Sequence, residues 1–92
     1  MSMTFYIAVL TTSETGGWRV LFPDVPECEA KAVSLDDGKF VAVEALQRYA
    51  NGARAKLRPP RDLIAIERDV DWLERSRVDL SKAIVTMVPL PD

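Results

Sequence analysis

Two prolines, Pro23 and Pro26, constrain this chain more than any other feature. They interrupt Trp18-Arg-Val-Leu-Phe-Pro-Asp-Val-Pro-Glu-Cys28, in which Trp18, Val20 and Phe22 alternate onto one face. A proline has no N–H to give to a sheet ladder, so a strand through Phe22 has to stop at Pro23. Upstream, Phe5 to Thr11 sets Phe5, Ile7 and Val9 against Tyr6, Ala8 and Leu10. Both sets are apolar, which predicts a strand covered on both faces or paired centrally. Between the two strands lies Thr12-Ser-Glu-Thr-Gly-Gly17, turn chemistry with two residues free to adopt positive φ. The pattern predicts a β-hairpin, a rigid double-proline turn, and a third antiparallel strand within Glu27–Val33.

A helix follows, near Ser34–Asn51. Ser34 is the N-cap candidate, and Asp37 completes a box-like arrangement with its charge near the positive helix end. At 100° per residue, Leu35, Gly38, Ala42, Ala45, Leu46 and Tyr49 share one face. Gly38 on that face costs about 1 kcal/mol of helicity relative to alanine, which a close approach to the sheet would offset. Asn51-Gly52 is a C-terminal stop signal. Phe40 falls on the polar face beside Asp36, Glu44 and Gln47. It is either a lone exposed aromatic or part of a subunit contact.

Ala53 to Arg61 is a basic loop holding Arg54, Lys56, Arg58 and Arg61 around Pro59-Pro60. Without an aromatic stacking partner it reads as a solvated connector and not as a nucleic-acid site. Asp62 caps the apolar run Leu63–Ile66, and Val70–Arg75 predicts a short helix with Trp72 and Leu73 docking onto the body. A last strand spans Ala83–Val88 or slightly beyond. The order of elements predicts an α+β domain over residues 1–92, β-β-β-α-(short α)-β, one sheet with the main helix packed on one face.

Composition narrows the function classes. Ninety-two residues make one small domain, a size at which oligomerisation helps stability. The net charge of −2 argues against general nucleic-acid binding. A single cysteine and no leader pattern at Met1-Ser-Met-Thr predict a cytoplasmic protein. Charge is uneven: residues 1–46 carry a net of −4 and residues 47–92 a net of +2. An acidic half suits a basic protein partner, though solvated loop acids would give the same count.

Candidates for chemistry are few. The chain has no histidine, the commonest general base. Cys28 therefore has no activating partner and reads as a packed thiol, while no serine lies in a nucleophile elbow. Two-metal nuclease chemistry needs converging carboxylates, and the first strand has none. Neither an enzyme, a metal site nor a bound cofactor is expected.

The stretch Phe22-Pro-Asp-Val-Pro-Glu-Cys28, with Ser34-Leu35 and Glu44-Ala-Leu46 after it, closely resembles the HicB-like antitoxins of bacterial type II toxin–antitoxin systems. That family's pattern is Phe-Pro-Asp-Leu-Pro-Gly-Cys, then a Thr/Ser-Leu-Glu-Glu helix start and an alanine-rich helix. This chain departs from it at Val25, Glu27 and Asp36-Asp37-Gly38. The resemblance implies a partial ribonuclease-H-like fold and a partner: a small basic HicA-type mRNA interferase whose catalytic histidine the antitoxin covers. Many members continue into a DNA-binding module. Since the chain ends at Pro91-Asp92, neither that module nor direct DNA binding is expected. The toxin contacts assigned on this reading are Asp24, Glu27 and Glu29, with Phe40 for assembly into a homodimer or higher homo-oligomer. The alternative is an orphan HicB-like homo-oligomeric regulatory or small-ligand-binding domain without a toxin.

Overall fold

The computed structural model describes residues 3–53 and 57–91. They form an α+β unit: β1 (Met3–Thr12), β2 (Trp18–Leu21), β3 (Glu29–Ala32), α1 (Leu35–Ala53), α2 (Leu63–Glu67), α3 (Val70–Ser76) and β4 (Ile84–Pro91). A 3₁₀ turn at Leu80–Lys82 precedes β4. The strands make one antiparallel sheet in the order β3-β2-β1-β4. β1 is central, pairing Val9 with Leu21 on one side and Val85 on the other.

The doubly apolar pattern of β1 has its cause in two cores. Tyr6, Ala8 and Leu10, with Val20, Phe22, Val88 and Leu90, face Ala42, Leu46 and Ala50 of α1. Ile7, Val9 and Leu21 face the other way, onto Ile66, Trp72 and Val78. The main helix packs on one face as expected, and the short helices, with Trp72 docked onto the body, cover the second face of the sheet. The N-terminus of each short helix is capped by an aspartate. The Asp62 side chain accepts from the Ala65 N–H at 2.9 Å, and Asp69 from the Trp72 N–H at 3.1 Å.

Ser34 caps α1, its Oγ accepting from the Asp37 N–H at 3.2 Å, a contact worth about 0.5–2 kcal/mol. Gly38 sits where the helix lies close against the sheet: a Cβ there would lie 2.6 Å from Leu10 Cδ2. Leu10 is fully buried, so the clash outweighs the ~1 kcal/mol of helix propensity an alanine would add. At its far end α1 runs through Asn51 and Gly52 to Ala53, past the expected stop. Both residues are exposed, and Gly52 does not take the left-handed conformation that ends helices. In the hairpin, Gly17 has φ +75° and its missing Cβ would meet the Ala32 carbonyl oxygen at 2.6 Å. Only glycine fits there.

Candidate functional site

The double-proline turn leaves β2 and folds into two successive tight bends. Val25 donates to the Phe22 carbonyl at 3.0 Å and Cys28 to the Val25 carbonyl at 2.9 Å. These bends carry Phe22, Val25 and Cys28 inward to the α1 core and turn the polar residues to two separate places. Cys28 is buried, and desolvation first, then the Glu27 charge, pushes its thiol above the usual range. A thiol held protonated is a packing group.

Asp24 does not stand at an exposed rim, as the sequence suggested. It is 6% exposed, and both carboxylate oxygens are occupied. Oδ2 accepts from the backbone N–H of Arg61 at 2.6 Å and Oδ1 from Arg61 Nε. The same guanidinium donates to Asp69 Oδ2 at 3.0 Å and reaches the Pro23 carbonyl at 3.5 Å. Asp69 is in turn the N-cap of α3, and its carboxyl is held below the ordinary range, first by the Trp72 N–H and then by Arg61. This chain of contacts ties the turn to the α2–α3 layer. Arg61 is therefore a structural clamp and not a solvated connector cation. Arg54 and Lys56 of the same basic loop lie outside the described residues.

Glu27 and Glu29 are exposed and border a shallow cleft of ≈ 320 Å³ between β3 and α1, lined also by Cys28, Ala30, Ala45, Arg48 and Tyr49. Each acid has a neighbour of opposite charge or a donor. Glu27 accepts from the Tyr49 hydroxyl at 3.1 Å and pairs with Arg58 at 3.7 Å; Glu29 pairs with Arg19 at 3.3 Å. Partial burial and then the Glu27 contact raise the Tyr49 phenol, which stays a donor. Arg19 also donates to the Ser76 carbonyl at 3.0 Å. Two acids of residues 1–46, Asp24 and Glu27, are thus paired across the fold with Arg61 and Arg58 of the basic half.

Three predicted contact acids therefore divide between two sites: Glu27 and Glu29 meet at the cleft, and Asp24 belongs to the clamp. Tyr49 and Arg58, the partners of Glu27, reach it from 22 and 31 positions away, so no local sequence pattern marks them as its neighbours. Tyr49 carried a signal, being at the end of the apolar face of α1. Phe40 stands on the outer face of α1, 74% exposed. Among the described residues no group of three or more His, Cys, Asp or Glu is placed to hold a metal ion. No helix among them is long and apolar enough to cross a membrane.

No family model matches this chain, and no curated protein does. Solved structures do. A chain of a toxin–antitoxin complex from Streptococcus pneumoniae is 19% identical, with a TM-score of 0.71 over 98% of this chain and 70% of that one. A chain of the HicA3 and HicB3 toxin–antitoxin complex is 18% identical, with a TM-score of 0.66 over 97% of this chain and 100% of that one. In fold, from β1 to β4, this protein is similar to chains of toxin–antitoxin complexes.

Proposed function

We propose that this protein is a HicB-like antitoxin that binds a small basic HicA-type ribonuclease toxin and blocks its active site. The observation that carries the reading is the likeness of fold over nearly the whole chain to chains of two toxin–antitoxin complexes. The Phe22–Cys28 turn and the Ser34-capped helix add to it from sequence. Neutralisation by occlusion asks no chemistry of this chain, in keeping with a sequence that lacks histidine.

The contact surface we assign is the cleft at Glu27, Glu29 and Tyr49, because those acids are exposed while Asp24 is not. A toxin lysine or arginine would compete there with Arg58 and Arg19 for the carboxylates. Exchange of one cation for another gains little net Coulomb energy at the surface. Affinity then has to come from shape and apolar contact, with charge giving encounter rate and orientation.

The test is co-expression with a small basic ribonuclease encoded beside this gene. Growth arrest should be relieved and the two proteins should co-purify. Charge reversal at Glu27 and Glu29 together should weaken protection at limiting expression while circular dichroism stays unchanged. Full protection by that variant would reject the cleft as the contact surface. Absence of any adjacent toxin-like gene, with no partner recovered from the native host, would reject the antitoxin reading.

A further inference from the structure

The two edges of the sheet differ in kind. β3 is four residues long and carries exposed Glu29 and Lys31, features that discourage strand addition. β4 is eight residues long, Ile-Val-Thr-Met-Val-Pro-Leu-Pro, without a single charge, and no other strand covers its outer side among the described residues. Pairing along it is continuous and free of bulges, from Met3 opposite Pro91 to Leu10 opposite Ile84.

The prolines show which groups face outward. Pro89 lies opposite Phe5 but has no N–H, so the ladder bonds flanking that pair belong to Thr4–Leu90 and Tyr6–Val88. Alternation then turns the N–H and C=O of Val85 and Met87 away from β1, at the open edge. Pro89 and Pro91 share that outward parity and can offer only carbonyls. The usable outward donors of β4 are therefore two, two residues apart.

We propose that the open edge of β4 pairs antiparallel with β4 of a second copy of this chain, about a two-fold axis at Thr86, to make a continuous eight-stranded sheet. This register sets Val85 opposite Met87 of the partner subunit and Met87 opposite the partner's Val85, each exchanging both backbone bonds. It uses every outward donor and places no proline where a donor is required. A register centred on Met87 would set Val85 against a proline that cannot donate. Side chains agree with the choice. On the α2–α3 side, Met87, 61% exposed, gains an apolar neighbour across the axis. On the α1 side, partly exposed Ile84 meets a partner valine and the two Thr86 side chains face each other. The pairing is isologous, so it closes at a dimer. It stands independently of the antitoxin reading.

The experiment is light scattering with oxidative cross-linking at tens of micromolar. Wild type should run at twice the chain mass of 10.3 kDa. Thr86→Cys should give a disulfide dimer, since a non-hydrogen-bonded antiparallel pair brings its Cα atoms to about 4.5 Å. Met87→Cys lies two positions off register and should not. Met87→Pro removes only an outward N–H, as Pro89 already does, and should yield a folded monomer. Met87→Lys provides a second variant of the same prediction through an exposed side chain. A monomeric wild type overturns the proposal. So does a dimer that survives both Met87 variants, or one dissolved by Phe40→Glu alone. Cross-linking at Met87→Cys but not at Thr86→Cys overturns the register.

Discussion

Asp24 and Glu27 stand three residues apart in one turn and carry the same charge, yet the fold uses them in opposite ways. Asp24 is closed off beneath Arg61, with a backbone N–H and a guanidinium filling its two oxygens. Glu27 faces solvent with a phenol and a longer ion pair beside it. A carboxylate with little water around it has to be satisfied by the protein, so its partners become part of the fold. One that keeps its water contributes little to stability and stays available to another molecule. The clamp holds layers together; the cleft is where a partner can act.

The largest effect should come from breaking the clamp. Asp24→Ala should cost about 2–3 kcal/mol, below the usual figure for a buried pair because Arg61 is 37% exposed and keeps some hydration. Urea unfolding should show a lower midpoint with an unchanged slope. A loss no greater than that from Glu27→Ala would erase the contrast between the two acids.

Arg61→Lys should be milder, roughly 1–2 kcal/mol, because an ammonium cannot engage Asp24, Asp69 and the Pro23 carbonyl through one planar fork. Combined with Asp24→Asn, the losses should fall short of additivity, since both changes remove the same contacts. Strict additivity in a double-mutant cycle would mean that the two residues are not coupled.

Acid should act on the capping carboxylates of the clamp layer. Asp69 and Asp79 are held below their ordinary value of 3.8 by hydrogen bonds, chiefly from the Trp72 N–H and from Ser81 respectively. A depressed folded-state value means that the native form prefers the carboxylate. Its stabilising effect is full above the ordinary value and drains away as pH falls through the lower one. Unfolding midpoints should therefore drop from pH 5 to pH 2, and Asp69→Asn should flatten that slope. A wild-type slope retained in Asp69→Asn would assign the acid sensitivity elsewhere.

The smallest effect on the fold belongs to the cleft. Glu27→Gln with Glu29→Gln should leave stability within about 0.5 kcal/mol of wild type. On the proposed function it should nevertheless weaken toxin neutralisation. A double variant that loses stability as Asp24→Ala does would make Glu27 and Glu29 structural as well.

Much of the framework was legible from local pattern. The alternation in β1, the proline stop after Phe22, the Ser34 cap and the Gly38 approach each follow from constraints within a few residues. The helix end was not, since Asn51-Gly52 is only a propensity signal and α1 continues through it. The cleft was half legible: two of its acids lie close together in sequence, but Tyr49 is 22 positions from Glu27.

What the sequence determined by itself is where strands, turns and helices begin, because proline, glycine and capping side chains act on their own backbone. It also determined that β1 would lie inside the fold, covered on both faces or paired centrally, since neither of its faces is polar; the structure does both. Only the tertiary structure decided which charges remain at the surface. Asp24 is paired with a residue 37 positions away, and no local rule gives Arg61 that place. Burial is a property of what packs over a residue, so two carboxylates of one turn acquire different work.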